Sequence, residues 1–142
     1  MKKIIIGIII ASLVVISVCV PCWVDDLALS GYEEKIEKSI AEVPEIKVLQ
    51  VVSGCGNSSG TGDHTELYVA VLVETNLYED DIKNKITGIT DVHDVRANGY
   101  KTLVMDMIDL NFDEKSYNGR GNCYILEFSE RAPCSSFDMR GV

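Results

Sequence analysis

Cys55, His64 and His93 are the residues of this 142-residue chain whose types are best suited to chemistry. A cysteine nucleophile needs a base beside it to take its proton and a third group to orient that base. Either histidine has the right type for the base, and Asp63 or Asp94, each next to a histidine, has the right type for the orienting carboxylate. That set defines an enzyme alternative in which Cys55 works with His64 or His93. Nothing in the spacing joins these residues, and no Lys or Arg lies near Cys55 in sequence to depress its thiol. The sequence therefore assigns no catalytic residue, and these three stand as candidates only.

Other groupings have the residue types of a metal or phosphate site but lack the spacing. Asp63-His64 and Asp91-Val92-His93-Asp94 offer oxygen and imidazole donors of the kind that zinc or manganese takes. Two histidines without i,i+2 or i,i+4 spacing do not make a ligand set. Asp109-Leu110-Asn111-Phe112-Asp113 starts like a calcium loop, but Glu114 stands at its sixth position and Arg120 at its twelfth, where glycine and glutamate are needed. Gly54-Cys55-Gly56-Asn57-Ser58-Ser59-Gly60-Thr61-Gly62 superficially resembles a phosphate loop, yet a strand follows it and the Lys-Ser/Thr pair is missing. We read no metal and no cofactor. The stretch is instead a candidate binding loop through Gly54, Cys55, Gly56, Asn57, Gly60 and Gly62, because loops carried on a rigid scaffold are where recognition concentrates.

The elements that must position these residues begin with a hydrophobic segment. Lys2 and Lys3 precede Ile4–Val20, which holds no charged residue, and the apolar stretch extends to Val24. Residues 4–24 would measure roughly 30 Å as a helix, the thickness of a bilayer's hydrocarbon core. An uncleaved anchor fits that length. A cleaved signal with its cut before Val20 is the alternative, as is lipidation at Cys19 or Cys22, although Val18 and Pro21 are poor residues to precede it. Each version puts the lysines in the cytoplasm and the rest outside. Residues 1–24 thus read as anchor or signal, and 25–142 as one extracytoplasmic domain.

Within that domain, Ser30 and Glu33 have capping-box spacing ahead of a helical stripe formed by Leu29, Tyr32, Ile36, Ile40 and Val43, which Pro44 ends. Ile46–Ser53 and Thr65–Glu74 predict two strands of a hairpin, the second with Leu67, Val69, Val71 and Val73 on one face. Asn76 and Glu79 predict a second helix, with Tyr78, Ile82, Ile86 and Ile89 buried and its end left open between Gly88 and Val95. Tyr100–Leu110 predicts a long strand, Cys123–Ser129 its return, and Ser135–Met139 a short last strand. This order predicts an α+β fold: a mostly antiparallel sheet with two helices on one face, preceded by one N-terminal hydrophobic helix.

Composition narrows the function classes. From Asp25 onward the chain holds all 22 acidic residues and 11 basic ones, a net charge of -11. A phosphate backbone is bound through clustered Lys and Arg, so no nucleic acid is expected. Beyond Cys19 and Cys22 the cysteines number three, Cys55, Cys123 and Cys134, which allows one optional bridge, Cys123–Cys134 across a hairpin.

Cys55-Gly56 with Gly60 and Gly62, the Val71–Glu74 strand, and the ending Cys123–Phe128 followed by Phe137-Asp138-Met139-Arg140-Gly141 resemble small exported proteins of Gram-positive bacteria. The likeness spans residues 45–142, and Val142 stands where that group ends in histidine. It implies an exported or membrane-anchored location and supplies no activity. The sequence reading is therefore a non-catalytic binding module at the cell envelope, held through residues 4–24, whose partner is an envelope protein or polymer. The alternatives are the Cys55–histidine enzyme and a structural or stress-related envelope protein.

Overall fold

The computed structural model describes residues 2–57, 64–86, 94–97, 103–105, 108–110, 112 and 122–136. Helix α1 (Lys2–Ala41) is followed by β1 (Ile46–Gly56), β2 (Glu66–Thr75), α2 (Glu79–Ile86), β3 (Asp94–Ala97), β4 (Leu103–Met105), β5 (Ile108–Leu110) and β6 (Cys123–Arg131). The main sheet has the order β1-β2-β6-β3, antiparallel at every pairing, and β4 and β5 form a separate antiparallel pair. This is the α+β architecture expected from the sequence.

The hydrophobic segment and the first amphipathic helix are one element of 40 residues, about 60 Å long at 1.5 Å per residue. The Ser30–Glu33 box therefore caps nothing. Its residues lie in mid-helix, where the preceding turn already uses the backbone N–H groups, and Glu33 instead accepts a hydrogen bond from Ser53 Oγ on β1. Pro21 lies within α1 and withholds one backbone donor. Ser17 Oγ donates to the Val14 carbonyl at 2.8 Å just upstream.

The two halves of α1 have different surroundings. From Ile4 to Val20 every residue is exposed, so one helix near the N-terminus is long and apolar enough to cross a membrane. Farther on, Tyr32, Ile36 and Ile40 are buried against Leu67, Val69, Val71 and Val73 of β2 and Tyr124, Leu126 and Phe128 of β6. Ile82 and Ile86 of α2 join the same cluster, so both helices cover one face. The opposite face of β2 is also buried: Tyr68, Ala70 and Leu72 cluster with Cys123, Ile125 and Phe112, and β5 touches β1. Strand β2 is sandwiched, which is why seven consecutive residues, Leu67–Val73, are buried.

Several boundaries differ from the sequence reading. Helix α2 starts at Glu79, and Tyr78 is 80% exposed instead of part of the buried stripe. Its carbonyl accepts the Ile82 N–H, which puts Tyr78 just outside the helix. The helix does not continue to Val95, since β3 begins at Asp94; Ile89 and Gly88 fall outside the described residues. The run expected as one strand contains two, with Met105 opposite Ile108, and β6 pairs with β2 and β3. No Gly or Pro marks that reversal, so alternation alone read it as continuous. Residues 133–136 form a turn, not the start of a strand, and 137–142 lie outside the described residues.

Because the second half of α1 supplies one wall of the core, residues 25–142 should unfold as a cooperative unit, while 42–142 should lack a cooperative transition. In the full domain, Ile36→Ala should cost about 2–5 kcal/mol and the exposed Glu37→Ala no more than about 0.5 kcal/mol. Urea denaturation of the four proteins checks this; a cooperative 42–142 fragment would show that α1 is dispensable to the core.

Candidate functional site

The chain's direction determines which residues share an end of the sheet. Helix α1 enters the core at Asp25 and runs along the sheet to Ala41; β1 returns, β2 runs out again and β6 returns. The end of β1, the start of β2 and the end of β6 therefore meet beside Asp25, where the apolar stretch departs. Gly54, Cys55 and Gly56 sit at this end, and so does the turn after Arg131.

A network of hydrogen bonds closes this end. Asp25 is fully buried, and its Oδ1 accepts the Cys134 backbone N–H at 2.8 Å. The Thr65 carbonyl accepts the Ala132 N–H at 3.0 Å, and the Ser135 carbonyl accepts the Thr65 N–H at 3.2 Å. Arg131 Nε donates to Ser135 Oγ at 2.8 Å. The turn is thus attached to β2 on one side and to α1 on the other.

Beside this network lies a groove of about 230 Å³ lined by Ala28, Gly31, Tyr32, Lys35, Leu67, Glu130, Arg131 and Pro133. Ala28, Tyr32, Leu67 and Pro133 are its apolar lining residues, and Lys35, Glu130 and Arg131 are exposed charged residues that border it. A Cβ built on Gly31 would meet open space, so its absence widens the groove without being required by packing. The volume is below the usual range for a drug-sized ligand.

The candidate residues from the sequence are distributed differently from a catalytic set. Gly54, Cys55 and Gly56 are not loop: they belong to β1, opposite Tyr68, Leu67 and Glu66. Cys55 packs with Leu67 on the helix-covered face. His64 Nε2 lies 3.2 Å from Glu66 Oε1, and Glu66 alternates with Leu67, so it projects from the other face. The Cys55 thiol and the His64 imidazole are therefore directed to opposite faces. Asn57 is buried. Gly60, Gly62, Asp63 and His93 lie outside the described residues, as do Asn111, Asp113, Glu114 and Arg120 of the calcium-like stretch, whose Asp109 and Leu110 belong to β5. Among the described residues, no group of three His, Cys, Asp or Glu side chains could hold a metal ion.

Cysteine geometry corrects the expected bridge. Cys123 begins β6 and Cys134 follows its end, a separation of roughly 26 Å along the strand at about 3.3 Å per residue. A disulfide needs Cα atoms within about 7 Å. Burial, aided by the Glu74 carboxylate and opposed by Lys47, raises the Cys123 thiol above its ordinary value.

Sequence reasoning missed Asp25 as a buried anchor, as well as Tyr68 and Glu127, which are 1% and 4% exposed on the face away from the helices. Glu127 stands opposite Ala70 and Tyr68 opposite Ser129, so the two are diagonal neighbours across β2 and β6. The available signal was the apolar character of Cys123–Phe128 on both faces, which marks a central strand and hence a buried Glu127. For Asp25 there was no such signal.

Fold and site together define a small α+β domain carried on the far half of a helix whose near half is long and apolar enough to cross a membrane. No family model, curated protein or solved structure matches the chain.

Two measurements probe the closed end and the buried thiol. Asp25→Ala should lower stability by about 1–3 kcal/mol, the cost of leaving the Cys134 N–H without its acceptor, in chemical denaturation of the domain. Cys123 should remain unalkylated under native conditions at pH 7 and react only after unfolding or well above the ordinary thiol range; rapid native labelling would contradict its burial.

Proposed function

We propose that this protein is a single-pass, membrane-anchored module of the cell envelope, with residues 4–24 in the bilayer and the acidic domain outside, and that it binds rather than catalyses. The observation that carries the reading is the continuity of α1: the exposed apolar stretch passes without a break into the helix buried by the sheet. Lys2 and Lys3 before that stretch and Asp25 and Asp26 after it match the charge asymmetry of an N-terminus kept in the cytoplasm. The resemblance to small exported proteins of Gram-positive bacteria agrees with this side of the membrane.

Binding is favoured over catalysis by the separation of Cys55 from His64 and by the character of the anchor-side end of the sheet, which offers a mixed apolar and charged groove. In this topology that end, with Gly54, Cys55 and Gly56, faces the outer membrane–water boundary. Trp23 and Leu27 are 73% and 77% exposed, four residues apart on one side of α1. An aromatic residue in that position is suited to the interface between acyl chains and head groups.

Cells making the full chain should retain it in the membrane fraction, with a mass that includes the N-terminal segment and a domain digested by protease added outside. A soluble cytosolic product overturns the topology, and a mature chain beginning at Val20 makes the protein secreted. Since Trp23 is the one tryptophan, its emission in reconstituted vesicles should be blue-shifted and quenched by lipids brominated near the glycerol. Saturable labelling of Cys55 at pH 6 that disappears in His64→Ala would instead favour the enzyme.

A further inference from the structure

Cys19 and Cys22 are thiols that the backbone itself brings together. Both lie in the unbroken helix α1 at i,i+3 spacing, where side chains are neighbours on one face with Cβ atoms about 5–6 Å apart. Cys19 is exposed, Cys22 is half-buried, and neither is in a disulfide. We propose that the pair is a two-coordinate site for a soft monovalent metal ion, Cu(I), held between the two sulfurs of a single chain.

Distance decides between a metal and a disulfide. A disulfide needs Cβ atoms within about 3.5–4.5 Å, closer than a regular helical turn brings them. A metal bonded to each sulfur at about 2.3 Å, the length zinc has, lets the sulfurs stand roughly 4.6 Å apart. Side chains one turn apart reach that separation by rotating about their Cα–Cβ bonds. The Cys22 thiol already leans the right way: Sγ donates to the Val18 carbonyl at 3.6 Å, back across the turn that carries Cys19. In the helical ladder that carbonyl also accepts the Cys22 N–H, so giving up the weak S–H bond leaves it paired. Pro21, between the thiols, withholds one backbone donor and loosens this turn.

Donor number and softness decide which metal. Among the described residues no group of three His, Cys, Asp or Glu side chains could hold a metal ion, so nothing completes the four ligands of zinc or the oxygen shell of calcium or magnesium. Thiolates select soft ions, and Cu(I), which accepts a linear pair of sulfurs, needs no third donor. Binding displaces the thiol protons: two thiols and one Cu(I) give a bis-thiolate complex of charge -1 and release two protons. The position is also reachable. Cys22 lies about 3 Å and Cys19 about 7.5 Å short of Val24 along the helix axis, close to the end of the apolar stretch. The acidic domain beyond it, with a net charge of -11, draws cations towards that end.

The test uses the full chain in neutral detergent micelles under nitrogen, with Cu(I) added as its acetonitrile salt and bicinchoninate as the coloured competitor. Each chain should withdraw a single Cu(I), and X-ray absorption at the copper edge should find two sulfur neighbours. Cys19→Ser and Cys22→Ser should each weaken binding by about a hundredfold, the equivalent of about 2.8 kcal/mol, while Cys55→Ser and Cys134→Ser change it by less than about twofold. Neither Cys19 nor Cys22 belongs to the core clusters, so their variants should fold, as unchanged melting of the domain would show. Zn(II) at equal concentration should not displace the ion. Full affinity in either variant, three or more sulfur neighbours, one ion shared by two chains, or displacement by Zn(II) would each overturn the assignment. So would protein isolated with Cys19 and Cys22 already joined in a disulfide. Micelles have no sides, so the outcome is independent of the topology proposed above.

Discussion

The structure depends on one helix serving two environments. Between Ile4 and Val20 every residue of α1 is exposed, while farther on Asp25, Tyr32, Ile36 and Ile40 are buried. The change occurs within about one turn, at Asp25. A carboxyl group buried there would be costly without compensation, and the Cys134 N–H supplies a hydrogen bond to its Oδ1. That bond, together with the Thr65–Ala132–Ser135 backbone links, attaches the end of β6 to the helix where it leaves the domain. The sheet therefore has a defined position on the helix and does not hang from a flexible tether.

The consequence for function is orientation. A domain joined by a floppy linker could present any surface to its surroundings. Here the helix continues into the core, and Ser53 of β1 bonds Glu33 eight residues past Asp25. Lys85 of α2 reaches Glu45 at the opposite end of the molecule at 2.7 Å, and the neighbouring Thr75 Oγ1 donates to the Glu45 carbonyl at 2.8 Å. Both ends of the sheet are thereby related to the axis of α1. In the proposed topology, one end and its groove always face the lipid, and the Glu45 end always faces outward.

Much of the core could be read from residue periodicity. The stripe Tyr32, Ile36, Ile40 and Val43, the alternation of Leu67, Val69, Val71 and Val73, and the set Tyr124, Leu126 and Phe128 all converge in one cluster, because each repeat matches its element's geometry. Local signals were less dependable at boundaries. The capping box at Ser30 failed because a cap is needed only where a helix begins, and sequence does not reveal that the preceding turn is already helical. The reversal between β4 and β5 was hidden because no Gly or Pro stands between them and the apolar alternation runs through both. Tyr78 continued the hydrophobic spacing of α2, but the helix begins one residue after it.

For the candidate site, the sequence by itself determined the long apolar stretch, the charges on either side of it, the acidity of the domain and the glycine-rich connection. Each of these is set by composition over a short span and needs no knowledge of distant partners. Tertiary structure alone decided that Asp25 is buried, that Cys55 and His64 are directed to opposite faces, and that Cys123 and Cys134 lie at opposite ends of a strand. It alone brought Lys35, Glu130 and Arg131 to the border of one groove, across 94 residues of intervening sequence between the first two. The physical reason is that long-range proximity follows from strand order and chain direction. Those are settled by how the apolar faces of α1, β2 and β6 pack together, not by the polar residues that the packing happens to align.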